Sequence, residues 1–203
     1  MNELNLEHLD SFCDAWLRNA DNIDIEPLDG VFDRFFTLWV VYNRLYEEAA
    51  RFMLRDEHPI YTRFISRRGS RIFAPAPDRL SATKCVTLFC GHASLRHLIY
   101  ENEAVFEGLQ NVVNSIQWGE FYLHENYETG EPHIAKDRLV TDKAIRGDVE
   151  SVLALIYQAR CNLFHGQKSF TEPQRALINS LITILIEVIT CLRGEISYRA
   201  QNA

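Results

Sequence analysis

The chain has 203 residues, enough for a single domain with its own hydrophobic core. About 47% of the residues are apolar and 24% are charged, which are ordinary proportions for a soluble protein. The 28 acidic residues outnumber the 21 basic ones, and a net charge of −7 excludes a protein that coats nucleic acid through overall positive charge. The five cysteines are widely spaced without a CxxC motif, which favours a reducing compartment over a disulfide framework.

The sequence predicts neither a secretory signal nor a membrane span. The N-terminal residues lack a basic segment followed by an apolar run, so no secretory signal is predicted. The longest apolar stretch, residues 181–192, carries Glu187 and is predicted to be too short to span a bilayer. We therefore expect a cytoplasmic protein without a membrane partner.

Helical periodicity dominates the first quarter of the chain. A first amphipathic helix is predicted over residues 4–19, and a longer one over residues 31–54 follows a loop with Pro27 and Gly30. Residues 55–80 lose this pattern and are predicted to be irregular. The longer helix has a mostly aromatic stripe, formed by Phe32, Phe35, Phe36, Trp39, Tyr46 and Ala50.

The middle of the chain alternates between helical and irregular patterns. Helices are predicted over residues 81–100 and 104–116, with Gly91 a weak point in the first. Residues 118–147 are predicted to be irregular, and a short hairpin is expected within residues 118–136.

Two strong helices close the chain and make the predicted fold class all-α, in one domain over residues 1–203. The penultimate helix spans residues 148–165 and ends at Gly166, which suits the left-handed position after a helix. The last helix is predicted over residues 171–192, with Thr171 as its N-cap and a proline in its first turn.

Arg160 is the most informative residue of the penultimate helix. A helix turns by about 100° per residue, and this places Arg160 within an apolar stripe of Val149, Val152, Leu153, Ile156, Leu163 and Phe164. A guanidinium keeps its charge, so it must meet a carboxylate, carbonyl groups or an anion. Two interpretations remain open: a buried ion pair within the chain, or a cleft or subunit seam that binds phosphate.

His165 follows Arg160 at the end of the same helix, next to Gly166. Imidazole exchanges protons near neutral pH, and guanidinium clasps phosphate with a planar fork. On an ideal helix the two side chains lie roughly 140° apart, so only unwinding of the last turn would bring them together. The alternative for His165 is a cation stabilised by the helix dipole. Taken together, the pair favours a site that handles phosphate.

The penultimate helix carries the string Ile156-Tyr-Gln-Ala-Arg-Cys-Asn-Leu-Phe-His-Gly-Gln-Lys-Ser. This string resembles the signature helix of the HEPN superfamily, whose ribonucleases carry an arginine and a histidine separated by four to six residues. Arg160 and His165 match with four residues between them. Arg51 and His58 also match the bare spacing, but they lack the surrounding string.

A second resemblance lies in the early helix. The string Phe35-Phe-Thr-Leu-Trp-Val-Val-Tyr-Asn-Arg-Leu-Tyr is similar to the long early helix of bacterial HEPN-like proteins. Asn43 lies on the apolar stripe there, and a buried amide needs partners. It either packs beside Arg160 or the His165 turn, or bonds to a neighbouring helix.

The resemblance implies a HEPN-like helical bundle that forms a homodimer, in which two motifs face one cleft. It implies an endoribonuclease, a hydrolase that needs neither a metal nor a cofactor. Arg160 would hold the phosphate, His165 would act as acid and base, and Asn162 would be a polar helper. Cys161 occupies a position that is usually polar in active members, which counts against activity. The implied setting is a toxin or phage-defence system, with RNA as substrate and an antitoxin or regulatory protein as a further partner.

An arginine cluster lies in the predicted irregular segment, between aromatic residues. Single-stranded RNA is commonly held by cations and stacking aromatics, so this segment is a candidate for substrate binding. The alternative is a solvated basic loop. The candidate residues are Arg63, Arg67, Arg68 and Arg71.

The last helix is apolar around most of its circumference, so it has to be buried on more than one side. Another helix of the chain or a partner subunit would cover the second side, and we favour a dimer. Two classes of function stay open: an RNA-cleaving enzyme, and a non-catalytic HEPN-like module that binds RNA, nucleotide or a protein. The apolar positions are Leu177, Ile178, Leu181, Ile182, Ile184, Leu185, Ile186, Val188, Ile189 and Leu192.

Overall fold

The structure is a computed structural model that describes residues 5–60, 76–126, 128–164 and 171–202. The described residues form eight helices and no strand, so the predicted all-α fold class is confirmed. The helices are α1 (Leu6–Asp21), α2 (Leu28–Arg55), α3 (residues 78–90), α4 (His92–Tyr100), α5 (Glu103–Gln117), α6 (Ile134–Ile145), α7 (Val149–Phe164) and α8 (Pro173–Gln201).

The segment predicted as one helix over residues 81–100 is two helices, α3 and α4. Gly91 separates them with a φ of +84°, a conformation that glycine adopts without steric cost. Within α3, a π-helical turn at Ser81–Cys85 lies between two short α-helical turns. The weak point predicted at Gly91 is therefore a break.

Residues 118–147 are only partly irregular. In the region of the predicted hairpin, Glu125 and Pro132 form one isolated antiparallel β-bridge, and no strand forms among the described residues. Helix α6 follows at once, and the prediction of irregular structure up to residue 147 is wrong there. The buried residues of α6 are small or polar, namely Asp137, Thr141 and Ala144, so no apolar stripe reveals the helix in the sequence.

Helix α8 begins and ends later than predicted. It starts at Pro173 with Glu172, not Thr171, as its N-cap residue, and Glu172 makes no side-chain capping bond. The predicted N-cap at Thr171 is therefore wrong. At the other end the helix continues past Leu192 to Gln201, through a segment that carries more polar residues.

Helices of the same chain cover the apolar circumference of α8. It packs against α2 and α5, with smaller contacts to α3 and α4. Its residues Ile178, Leu185, Val188 and Leu192 are fully buried. The apolar pattern of α8 is therefore explained within one chain, and it gives no support to a dimer.

Among the described residues, one helix is long and apolar enough to cross a membrane, and it is α8. The length argument from the sequence is wrong, because the helix continues for nine residues beyond residue 192. The helix contains an 18-residue window that is apolar enough to span a bilayer. Of this window, 56% is buried inside the protein, as in the central helix of a soluble protein. The structure is thus compatible with a soluble protein.

Candidate functional site

An open groove with a volume of about 610 Å³ lies between the middle of α2 and the end of α7. Among the described residues six side chains line it, of which four are apolar and two, Asn43 and Arg160, are polar. The apolar ones are Phe36, Trp39, Val40 and Leu163. The groove therefore joins one positive charge and one amide to an apolar wall.

Arg160 is half-buried at this groove. Its guanidinium carbon lies 5.3 Å from the centre of the Trp39 ring, a distance that allows a cation–π interaction. Its Nη1 lies 3.9 Å from the sulfur of Cys161. Val152 and Ile156, earlier on the same stripe, are buried in the core. Leu163, later on the same stripe, is also buried, so Arg160 is a half-buried member of a largely buried stripe. It lies at the border of the core, where the groove begins.

Asn43 lines the same groove as Arg160, which was one of its two expected positions. Its Nδ2 donates to Glu47 at 3.3 Å, and its Oδ1 lies within hydrogen-bond distance of the Tyr46 hydroxyl. Both partners belong to α2 itself. The alternative of a bond to a neighbouring helix is wrong for Asn43.

Asn162 has a structural environment. Its side chain is 2% exposed, its Nδ2 donates to the Leu123 carbonyl at 2.8 Å, and its Oδ1 accepts from Gln158 at 3.0 Å. Helical winding predicts a polar, outward face for Asn162. The segment between α5 and α6 covers that face, and Asn162 holds this segment to α7 instead of lining the groove.

The remaining predicted site residues lie outside the described residues. The last described residue of α7 is Phe164, so the predicted histidine lies just outside the described part of the chain. Also outside are the four arginines of the predicted RNA-binding cluster. The residues concerned are Arg63, Arg67, Arg68, Arg71 and His165.

Asp78 joins both walls of the groove in a network that the sequence did not predict. Its Oδ1 accepts a hydrogen bond from Tyr46 of α2 at 2.5 Å, and its Oδ2 accepts one from Tyr157 of α7 at 2.9 Å. The three residues are 32 and 79 positions apart in the chain, and no local motif links them.

Aromatic rings fill the space behind the groove. The Trp39 ring lies edge-on to Tyr42, Tyr46 and Tyr157, with centroid distances of 5.3, 6.2 and 5.9 Å. Such edge-to-face pairs are favourable beyond the area that they bury. Trp39 therefore has a defined position against both helices, and so does the guanidinium that packs on it.

Burial raises the pKa of these phenols. The pKa of Tyr46 and that of Tyr157 lie well above the usual value because of burial and then the hydrogen bond to Asp78. Burial also raises the pKa of Tyr42, and it raises the pKa of Tyr100 to about 12. These four phenols stay protonated in the folded protein at a pH where free tyrosine ionises.

Stability is therefore expected to fall at alkaline pH. A phenol whose folded pKa exceeds its unfolded pKa stabilises the fold fully below the unfolded value of about 10, and this contribution is lost as the pH rises through the folded value. We expect the free energy of unfolding in urea to drop above about pH 10. The tyrosinate absorbance of these four phenols should then appear cooperatively with unfolding. Gradual ionisation of all tyrosines near pH 10 in a folded protein would contradict the expectation.

A second unpredicted cluster holds the hairpin segment in place. Asp137 and His124 are buried, and Asp137 Oδ1 lies 2.6 Å from His124 Nδ1. The same carboxylate accepts the backbone N–H groups of Leu123 at 2.9 Å and His124 at 3.1 Å. Asp137 thus fixes the strand-like segment whose Leu123 carbonyl binds Asn162.

Comparisons with protein-family models, with characterised proteins and with solved structures find no match for this chain. The HEPN resemblance therefore rests on the sequence motifs alone. In the part of the chain that the structure describes, no group of three or more His, Cys, Asp or Glu side chains is arranged to hold a metal ion.

Proposed function

We propose that this protein is a metal-independent endoribonuclease of the HEPN type, in which Arg160 holds the scissile phosphate and His165 moves the proton. The observation that supports this most is the position of Arg160. Its guanidinium packs on Trp39 at the wall of an open groove, at the end of the helix that leads into His165. A cation at the wall of the groove attracts an anion that enters it.

The chemistry needs two groups. The ribose 2′-hydroxyl attacks the phosphorus, the new 2′-O–P bond forms, and the P–O5′ bond breaks. His165 takes the 2′-hydroxyl proton as base and then, as acid, gives a proton to the leaving 5′-oxygen, so the proton count balances. Arg160 offsets the negative charge that gathers on the phosphate oxygens in the transition state. The apolar walls strengthen that attraction, because they lower the local dielectric.

The same proposal includes the partners that the resemblance implies. Two copies form a homodimer in the cytoplasm and bring two motifs to one cleft. The arginine segment of residues 63–71 carries single-stranded RNA towards it. The biological setting is a toxin or phage-defence system, in which an antitoxin or regulatory protein controls the activity.

The direct test is cleavage of single-stranded RNA in the presence of EDTA. The wild type should cleave, and His165→Ala should lower the rate by about 10²–10⁴-fold, the usual contribution of a positioned acid or base. Circular dichroism and the melting temperature should stay at the wild-type values. Undiminished cleavage by folded His165→Ala protein would reject this role for His165.

The apolar character of the groove favours a second candidate. Most of the described wall is apolar, and Asn162 does not contribute to it. The apolar residues are Phe36, Trp39, Val40 and Leu163. A HEPN-like module that binds RNA or a nucleotide without cleaving it would use such a groove. RNA binding that depends on Arg160, without cleavage of any RNA by the wild type, would identify this second function.

A further inference from the structure

We infer that Asp78 is a positioning residue, which sets the place of Arg160 by tying the two helices of the groove to one carboxylate. The inference rests on the proposed function, because it concerns the same groove and the same reaction. Asp78 begins α3 and does not line the groove. It acts through Tyr46 of α2 and Tyr157 of α7.

The bonds of Asp78 are stronger than those between neutral groups. Each of its oxygens accepts one phenol hydroxyl, at 2.5 Å from Tyr46 and at 2.9 Å from Tyr157. Hydrogen bonds to an ionised acceptor are short and roughly twice as strong as neutral ones. The Tyr46 hydroxyl has a single proton, and the carboxylate is a stronger acceptor for it than the amide oxygen of Asn43.

Tyr157 carries the restraint to Arg160. It lies one helical turn before Arg160 on α7, and its ring packs edge-on against Trp39 at 5.9 Å. Trp39 in turn supports the guanidinium at 5.3 Å. A shift of the Tyr157 ring therefore moves both the helix turn and the aromatic surface that hold Arg160.

Tyr46 carries the restraint to the opposite wall. Its hydroxyl lies within hydrogen-bond distance of the Asn43 side-chain oxygen at the groove. Burial and Asp78 raise the pKa of Tyr46, while the positive charge of Arg160 lowers it. Asp78 and Arg160 thus act on the same hydroxyl. The network connects the carboxylate to both polar residues of the groove.

Asp78 is exposed at the surface, unlike Tyr46, which is buried. Its replacement creates no internal cavity and leaves no buried charge. A residue that served only the fold would change stability when replaced. A positioning residue changes the rate of the chemical step, because displacement of a reacting group by about 1 Å costs up to 10²-fold.

The test compares Asp78→Asn and Asp78→Ala with Asp142→Asn as a matched control. Asp142 is another exposed aspartate, on α6, and accepts one bond from Gln117 at 3.2 Å. We expect kcat for RNA cleavage in EDTA to fall about 10–10²-fold in Asp78→Ala, less in Asp78→Asn, with KM nearly unchanged. The control should keep the wild-type kcat.

Coupling to Tyr157 gives a readout that a purely structural role would not produce. Tyr157→Phe should lower kcat in the wild type but have no further effect in Asp78→Ala. The indole N–H signal of Trp39 in NMR spectra should shift in both single variants. If Asp78→Ala does not fold, Asp78→Asn and Tyr157→Phe carry the same test.

Two outcomes separate the inference from the proposed function. An active wild type with unchanged kcat in Asp78→Ala overturns the positioning role and leaves the proposed function intact. A wild type that cleaves no RNA overturns the proposed function, and the positioning role in cleavage falls with it.

Discussion

Replacing Arg160 by glutamine is expected to lower the rate of RNA cleavage by about 10²–10³-fold, the usual cost of removing a donor that stabilises transition-state charge. The cleavage rate of Arg160→Lys should lie between those of the wild type and Arg160→Gln, because lysine keeps the charge but loses the planar fork that binds two phosphate oxygens. It also loses the flat face that packs on Trp39. Single-turnover cleavage in EDTA measures the three rates.

The fold should tolerate the change at Arg160. The residue is half-buried, and its cation–π interaction with Trp39 is worth about 0.5–2 kcal/mol. Arg138→Gln is a suitable control, because Arg138 is exposed on α6 and does not line the groove. If Arg160→Gln retains the wild-type rate, or if Arg138→Gln loses it equally, Arg160 does not hold the phosphate.

Replacing Asp137 by alanine is expected to lower the free energy of unfolding by about 3–5 kcal/mol, as when one partner of a buried pair is removed. The change deprives His124 and two backbone N–H groups of their acceptor inside the protein. Asp137→Asn should lower the free energy of unfolding by less, because asparagine keeps one acceptor oxygen. Urea denaturation measures the loss, with Asp142→Asn as the exposed control on the same helix.

The loss of the Asp137 carboxylate should also weaken the contact between this segment and α7. The segment held by Asp137 includes Leu123, whose carbonyl is the partner of the buried Asn162. Faster hydrogen exchange in residues 121–126 is therefore expected in Asp137→Ala, ahead of the rest of the chain. A loss below about 1 kcal/mol, within the range of a single ordinary hydrogen bond, would show that His124 and the segment find other partners.

Most helices of this protein were predictable, because their apolar residues recur with the helical period. The stripe of α2 is the clearest example, and Phe32, Phe35, Trp39 and Tyr46 are indeed buried. Helix α6 was missed because it packs through small and polar residues. The glycine at position 91 indicated a weak point in the predicted helix. The sequence did not predict that Gly91 would adopt a positive φ and end the helix.

The two polar residues of the described groove were predictable for a related reason. A guanidinium and an amide on apolar stripes violate the pattern around them, and Arg160 and Asn43 do lie in one groove. Asn162 was assigned to an outward face, because helical winding does not show which segments of the chain cover that face. The role of His165 stays a prediction.

The sequence by itself determined the helical fold class and marked Arg160 as a charge on an apolar stripe, because periodicity and charge are local properties of the chain. Only the tertiary structure decided that Arg160 lies at a groove against Trp39, that Asp78 bonds to tyrosines of two helices, and that Asp137 secures the hairpin segment. Carboxylates bond to whichever donors the packing of helices brings within reach. Those donors are distant in the chain, so no spacing in the sequence encodes them.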